Sequence, residues 1–409
     1  SLDMTYAPVT AEIAAELAEL VGEKNVIFAD AAAMEACSHD EVAEPQYAHP
    51  ADCLVRPADA EEVSSVLKLA NRERIPVTPR GAGSGLSGGA VPVCGGIVVL
   101  CDRMNRILEI DPGNMTCTVE PGVVTNEIND RLADHGLFYA GYPMSLETCC
   151  IGGNVAENAG GGKAVKYGVT GRYVLGLEFV TPTGEIVELG GKRVKDVTGY
   201  DLIHLLVGSE GTLGVFTKIT LKLTPLPRAS VDLLCLFESA SAAISAVPAI
   251  MTGGGIVPTA IEFMDRVSVQ ASCEYVNESI PYETCGAMLL ITVDGADASQ
   301  VEREYEVIGK LCQSVGAFEV YVADNSTTSE RIWRMRRNIG EAFNLISRHQ
   351  STVVVSVPIA AIPGIVEAFG ELAQRYDVRI PCFGHAGDGN LHARIVMNPD
   401  WTLERWHET

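Results

Sequence analysis

The sequence predicts an α+β fold in two parts, on three observations. The 409 residues exceed the size at which one hydrophobic core keeps growing. Apolar spacing changes between helical and strand periods without regular β-α-β winding through the glycine-dense tract 141–214. Pro225 and Pro227 then bracket a boundary, past which short strands alternate with helices. The predicted parts are residues 1–226 and 227–409.

A first helix is marked by Ile13, Leu17, Leu20 and Val21 on one face. A second carries Val63, Val66, Leu67 and Ala70 and starts at Asp59, with Glu62 three residues on in the pattern of a capping box. The segments "GIVVLC", "RILEI" and "TCTVEPG", with a turn at "DPGN", predict a short β meander. Helical spacing returns over 124–132. Strands at "LGLEFVTP" and "EIVELG", joined by Thr183 and Gly184, are followed by "GVFTKITLKLTP". Past the prolines, "ASVDLLCLF", "TAIEFMD", "AMLLITVDG" and "TVVVSVPI" predict a second, smaller antiparallel sheet. The intervening "SAAISAVPAIM", "EREYEVIGKLCQSV" and "IPGIVEAFGELAQRY" predict helices on one of its faces.

Thirty basic residues against 53 acidic ones give a net charge of −23, which opposes nucleic acid and anionic membrane surfaces. An anionic ligand must therefore be held locally. No stretch approaches the roughly 18 apolar residues of a spanning helix, and "SLDMTYAPVTAEIAAELAEL" is acidic, unlike a signal peptide. A cytoplasmic protein without a transmembrane segment is expected. Most of the 12 cysteines, among them Cys53, Cys94, Cys101, Cys117 and Cys235, lie in apolar runs as small hydrophobes. No C-x-x-C is present, so no zinc ribbon or iron-sulfur ligand set is indicated.

The loop "RGAGSGLSGG" (80–89) is followed by "AVPVCGGIVVL", whose Pro92, Gly95 and Gly96 do not open a helix, which argues against a Rossmann pyrophosphate site. Consecutive backbone N–H groups could still form an anion nest. In "GGGKA" (160–164), Glu157 and Ala164 stand where a P-loop needs Gly and Ser or Thr, so ATP is not indicated. Near the C-terminus, "CFGHAGDGNLHARI" (382–395) places His385 and His392 around Asp388, either as two metal ligands or as polar turn residues. "WRMRRNIGEAF" (333–343) carries Arg334, Arg336 and Arg337 on a helix, either as a solvated cluster or as an anion site.

Four ordered stretches, "IPVTPRGAGSGLSGGAV", "CCIGGNVAENAGGGKAVKYGVTGRYVLGLEFVTPTGEIVELG", "VKDVTGYDLIHLLVGSEGTLGVFTKITLKLTP" and "GHAGDGNLHARI", resemble the vanillyl-alcohol oxidase (PCMH-type) FAD flavoproteins. Within them they resemble the branch of D-lactate dehydrogenases and glycolate oxidase GlcD subunits. The resemblance spans most of residues 45–395. It implies a two-subdomain PCMH-type FAD-binding domain over 1–226 and an α+β cap domain with an antiparallel sheet over 227–409. It places Arg80, Gly81, Ala82, Gly83, Ser84, Gly85, Leu86, Ser87, Pro143, Thr148, Gly152, Gly153, Asn154, Asn158, Gly160, Tyr167 and Gly168 along the cofactor, with Glu210, Gly211 and Ile219 near its other half. Neutral backbone donors suit a pyrophosphate in so acidic a protein. The loop lacks the histidine that attaches flavin in some relatives, so noncovalent FAD is expected.

By the same resemblance, Arg336 binds the substrate carboxylate, a task suited to a guanidinium. His385 and His392 ligate a divalent ion, zinc or manganese, and Asn390 contacts the flavin ring. The metal would grip the hydroxyl and carboxylate oxygens of a small 2-hydroxy acid and lower the hydroxyl pKa. The chain departs from its relatives by ending at Thr409 before a Glu-His-Gly-x-Gly segment, so the C-terminal part of the family fold is expected to be missing. His407 and Glu408 stand in reverse order without glycines, and "VVVSVP" shows no acidic or basic partner, leaving no visible proton acceptor. The expected activity is that of an FAD-dependent D-2-hydroxy acid dehydrogenase of D-lactate or glycolate type, with hydride transfer from C2 to flavin N5. Electrons would pass to a separate electron-transfer flavoprotein, quinone or iron-sulfur subunit. A homodimer is one assembly considered. The alternatives are a noncatalytic FAD-binding subunit of an electron-transfer complex and an α+β binding protein without flavin.

Overall fold

The computed structural model describes residues 6–42 and 47–409. They divide into two compact units, Ser1–Gly161 with Gly168–Leu226, and Gly162–Tyr167 with Pro227–Thr409.

The first unit is built on two main sheets. One contains β1 (Val26–Phe28), β2 (Cys53–Val55), β3 (Val77–Arg80) and β4 (Ile97–Leu100) in the order β1-β2-β4-β3. β2 and β3 both run parallel to β4, and the helix Ala60–Glu73 is the crossover between them. That helix begins where the sequence predicts: Asp59 accepts from the Glu62 N–H at 2.9 Å, while the Glu62 carboxylate accepts from the Ala58 N–H at 2.7 Å. Its apolar face, Val63, Val66, Leu67 and Ala70, joins Leu17 and Val21 of the helix Ala11–Val21 in one core.

The other main sheet is antiparallel. β5 (Ile107–Asp111), β6 (Thr116–Val119), β8 (Val174–Val180), β9 (Ile186–Gly190) and β10 (Val215–Lys222) take the order β5-β6-β10-β8-β9. Short β7 (Leu137–Phe138) pairs with β11 (Thr224–Pro225). The predicted meander is thus only a β5–β6 hairpin. Its first member, β4, lies between parallel strands in the other sheet, and Ile97, Val98 and Val99 are fully buried. A strand buried on both faces has a continuous apolar run with no alternation to show its partners.

The second unit holds one seven-stranded antiparallel sheet. Its strands are β12 (Ala229–Phe237), β13 (Ala260–Asp265), β14 (Ala287–Gly295), β15 (Ala317–Ala323), β16 (Gln350–Ser356), β17 (Cys382–His385) and β18 (Asn390–Val396), in the order β15-β12-β14-β13-β17-β18-β16. It is the larger sheet, not the smaller, and helices cover both faces. Leu233, Cys235 and Phe237 pack with the helices Ala240–Pro248, Ala298–Ser314 and Ile362–Tyr376. Leu234 and Leu236 pack with Arg266–Val276, Ser326–Arg337 and Ile339–Ile346. Each such leucine or phenylalanine contributes roughly 1.5–3 kcal/mol by its burial. The single helix predicted over "WRMRRNIGEAF" is broken at Asn338.

Residues 162–167 leave the sequence of the first unit and dock in the second. There Lys166 Nζ lies 2.5 Å from Asp294 Oδ1, and the Tyr167 hydroxyl donates to the same carboxylate at 2.9 Å. Most cysteines are buried and all are free, but Cys94 is exposed, against expectation. Among the described residues no helix is long and apolar enough to cross a membrane.

Candidate functional site

In the second unit the histidine motif is a hairpin. β17 and β18 pair with His385 opposite Asn390 and Phe383 opposite His392, so these four side chains share one sheet face. The turn requires glycine at 389, where φ is +83° and a Cβ would stand 2.0 Å from the Val357 carbonyl oxygen. β13 brings Glu262 opposite His385 on that same face. From above, the last turn of the helix Ser326–Arg337 lowers Arg336 onto the same place, its guanidinium 5.2 Å from the Phe383 ring.

Glu262 connects these groups. It is 0% exposed; Oε2 accepts from Arg336 Nε at 2.8 Å and Nη2 at 2.6 Å, and Oε1 lies 2.6 Å from His385 Nδ1. Burial alone would raise its carboxyl, but the His385 and Arg336 charges and their hydrogen bonds outweigh it and hold the group at about 2. A carboxylate only accepts, so His385 Nδ1 carries the proton and, in the neutral ring, Nε2 is the free lone pair. His392 stacks on Phe383 with ring centroids 5.8 Å apart and meets His385 edge-on at 5.8 Å. Burial, with His385 and Arg336 nearby, pulls it down to about 4, so it is a neutral imidazole near pH 7.

A buried carboxylate that fixes the tautomer of one imidazole, beside a second neutral imidazole, is suitable chemistry for two metal-ligating histidines. His385 and His392 therefore fit a divalent ion as two nitrogen donors. Among the described residues, no group of three or more His, Cys, Asp or Glu comes together to hold a metal. Arg336 differs from the free fork expected of it, because two of its nitrogens are already bonded to Glu262. The Asn390 Nδ2 donates to Ser356 Oγ at 3.1 Å on the adjacent strand.

In the first unit, the loop after β3 follows Arg80, which is buried and donates through Nη1 to the carbonyl oxygens of His39 and Ala90 at 2.8 and 3.2 Å. Gly83 arches over this guanidinium, with φ +72° and a Cβ position 2.1 Å from Nη2. Asp40 accepts from the Gly88 N–H at 2.9 Å and Glu157 from the Ser87 hydroxyl at 2.6 Å. Burial raises the Glu157 carboxyl, and Glu210 and Asp40 add to that effect while the Ser87 bond opposes it. The loop from Gly81 through Ala82, Ser84, Gly85 and Leu86 thus rests on a buried cation whose own bonds go to neutral oxygens. Gly153 has open space above it, and Ser209 Oγ is a buried orphan without a partner among the described residues. An unfilled glycine surface, an orphaned hydroxyl and a buried guanidinium fit a phosphate-bearing cofactor.

Other residues expected along the cofactor have different surroundings. Gly152 packs against Pro121, and the Asn154 amide donates to Thr125 Oγ1 at 2.6 Å in the interior. Asn158, left-handed at φ 51°, accepts from the Gly171 N–H, and Thr148 Oγ1 donates to Ser145 O. Pro143 is half-buried and Gly160 exposed. Gly168, Glu210 and Gly211 all have positive φ. Tyr167 lies in the second unit, bonded to Asp294. Ile219 offers no side-chain surface: it is 0% exposed and β10 is paired on both edges, with β6 and β8. Sequence reasoning missed Glu262, whose only signal was an acid inside the apolar strand "TAIEFMD".

Residues 51–190 match the family described as FAD binding domain, and residues 226–409 match FAD linked oxidases, C-terminal domain. The chain is 39% identical over 387 residues to the glycolate oxidase subunit GlcD of Bacillus subtilis (strain 168), covering 94% of this chain and 80% of that protein. It is 37% identical to a D-lactate dehydrogenase of Anaerostipes hadrus, covering 96% of this chain and 83% of the relative. The fold is shared with p-cresol methylhydroxylase solved with substrate bound, at a TM-score of 0.78 and 17% identity over 98% of this chain and 86% of that one. The chain belongs to the FAD-linked oxidases of PCMH type, in the branch of the GlcD subunits and D-lactate dehydrogenases, and is an FAD-linked oxidoreductase.

Proposed function

We propose that the protein oxidises a D-2-hydroxy acid, of D-lactate or glycolate type, to the 2-oxo acid with noncovalent FAD. The observation that carries this reading is the buried Arg336–Glu262–His385 chain beside neutral His392 on one sheet face. Arg336 holds the substrate carboxylate with the donors that Glu262 leaves, and Glu262 keeps the guanidinium from turning away. His385, with Nδ1 tied to Glu262, keeps its Nε2 lone pair for the ion that would polarise the C2 hydroxyl, and the hydroxyl proton leaves to solvent. His392, neutral and stacked on Phe383, flanks the hydroxyl. Bound flavin supplies a two-electron acceptor for the hydride leaving C2. A zinc or manganese ion would be held by His385 and His392 and supplies Lewis acidity toward the hydroxyl. Reoxidation is assigned to a separate electron-transfer flavoprotein, quinone or iron-sulfur partner.

Turnover of D- and L-2-hydroxy acids with an artificial electron-accepting dye tests the reading. D-enantiomers or glycolate should be oxidised, and acid precipitation should release all the flavin into the supernatant. Absence of turnover on every 2-hydroxy acid, with metal supplied, would discard the activity.

A further inference from the structure

The short helix Ala31–Ala36 ends at Cys37, and the Ser38 hydroxyl donates back to the Glu35 carbonyl oxygen at 2.8 Å. The next three residues, His39, Asp40 and Glu41, run across the glycine loop of 80–89 and bond it at its beginning, middle and end. The His39 carbonyl oxygen accepts from Arg80 Nη1 at 2.8 Å, the Glu41 N–H donates to the Gly85 carbonyl oxygen at 3.0 Å, and Asp40 Oδ2 accepts from the Gly88 N–H at 2.9 Å. All three residues precede the stretch 51–190 that matches the FAD-binding family.

Asp40 is the member whose chemistry needs a reason. It is 7% exposed, and among the described residues it forms no ion pair. Its Oδ1 accepts from the Val42 N–H at 2.9 Å, so each carboxylate oxygen holds one backbone donor. A buried carboxylate without a cation is costly unless its acceptors are filled, and what this one secures is the backbone at Gly88. The loop needs such support. Five of the nine residues 81–89 are glycine, and Gly88 is left-handed at φ +83° with no atom within 4 Å of a Cβ position. So free a chain loses much entropy on binding unless neighbouring bonds have already fixed it.

We propose that Asp40 is a positioning residue for the cofactor. It holds residues 81–89 in the shape that presents their remaining N–H groups to the phosphates of FAD, and His39 and Glu41 complete a strap across the loop. This rests on the reading of that loop as the phosphate site of the FAD proposed above. The carboxylate acts through Gly88 and needs no contact with FAD. Asparagine cannot replace it, because its amide would turn a donor toward one of the two backbone N–H groups that the carboxylate accepts.

The test is the affinity of the FAD-free protein for FAD, read from the change in flavin fluorescence on titration. In Asp40→Asn the Kd should rise about 10–100-fold, the effect of losing one hydrogen bond to a charged acceptor, and Asp40→Ala should weaken binding at least as much. Ser38→Ala controls for lost stability: it removes a hydrogen bond from the same buried turn without touching the loop, and its Kd should stay that of the wild type. Hydrogen exchange on the FAD-free protein reads the strap directly. The Gly88 N–H should be protected in the wild type and exchange about 10–100-fold faster in Asp40→Asn. An unchanged Kd in both Asp40 variants, or a rise in Ser38→Ala as large as in Asp40→Asn, would overturn the proposal. So would a Gly88 N–H that exchanges freely in the wild type, whether or not the variants fold. Gly83→Ala, whose Cβ would collide with Arg80 inside the loop, separates the proposal from the reading beneath it. If Gly83→Ala weakens FAD binding and Asp40→Asn does not, Asp40 is only a tie between two loops. If neither does, the glycine loop is not the phosphate site and the proposal falls with that reading.

Discussion

A carboxylate with no solvent exposure is stable only if its charge is matched, and Glu262 is matched by Arg336 and bonded on its other oxygen by His385 Nδ1. Replacing it by Gln leaves a buried guanidinium without its partner, and the expected loss is about 3–5 kcal/mol in denaturant unfolding. Turnover should fall about 10–100-fold with the loss of the group that orients His385. The pH dependence has a definite sign. A carboxyl held at about 2 instead of its ordinary 4.5 contributes about 3 kcal/mol of stability above pH 4.5, lost as pH falls through about 2. His392, depressed from 6.5 to about 4, resists protonation in the folded state. Its share of stability is complete above pH 6.5 and is lost between 6.5 and 4. Unfolding of His392→Asn at pH 7.5 and 4.5 should therefore show a smaller acid loss than wild type, by about 3 kcal/mol. The histidines were legible in the sequence because they share one glycine-marked turn. Glu262 was not, because it meets His385 only through strand pairing, 123 residues apart in sequence.

The β17–β18 hairpin is the element that brings His385, Phe383, Asn390 and His392 to one face, and its turn depends on Gly389. Gly389→Ala combines a left-handed φ with a backbone collision at Val357. A loss of about 1–3 kcal/mol is expected in chemical unfolding, with a raised KM for the substrate because His385 moves relative to His392. Helices with a polar side were readable from spacing: Ile362–Tyr376 and Ala60–Glu73 stand where the apolar stripes put them. Two strand-like runs joined by turn residues also predicted the β8–β9 hairpin, with its Thr183–Gly184 turn. Strands buried on both faces were harder. β12 ends in the apolar run Leu233–Phe237, which has no alternation, so neither its neighbours β14 and β15 nor the helices on both sides of its sheet could be inferred from periodicity.

At the scale of the molecule, a net charge of −23 makes local cations the means of holding anionic ligands, and the buried arginines answer to that need in both units. Arg80 lies under the glycine loop with only neutral oxygens around it, and Arg336 stands among the groups proposed to receive the substrate. The glycine motifs were legible because backbone donors leave a trace in composition. Residues 162–167 show no such trace: nothing in "GKAVKY" foretold that it docks in the second unit through Asp294. The most direct measurement is anaerobic rapid mixing of the FAD-loaded protein with a D-2-hydroxy acid, following the long-wavelength flavin absorbance in wild type and Arg336→Met. The expected result is rapid bleaching by the D-acid in wild type, none by its L-enantiomer, and a reduction rate at least about 100-fold lower in the variant. An oxidised flavin that no 2-hydroxy acid bleaches, or a variant reduced as fast as wild type, would contradict the account.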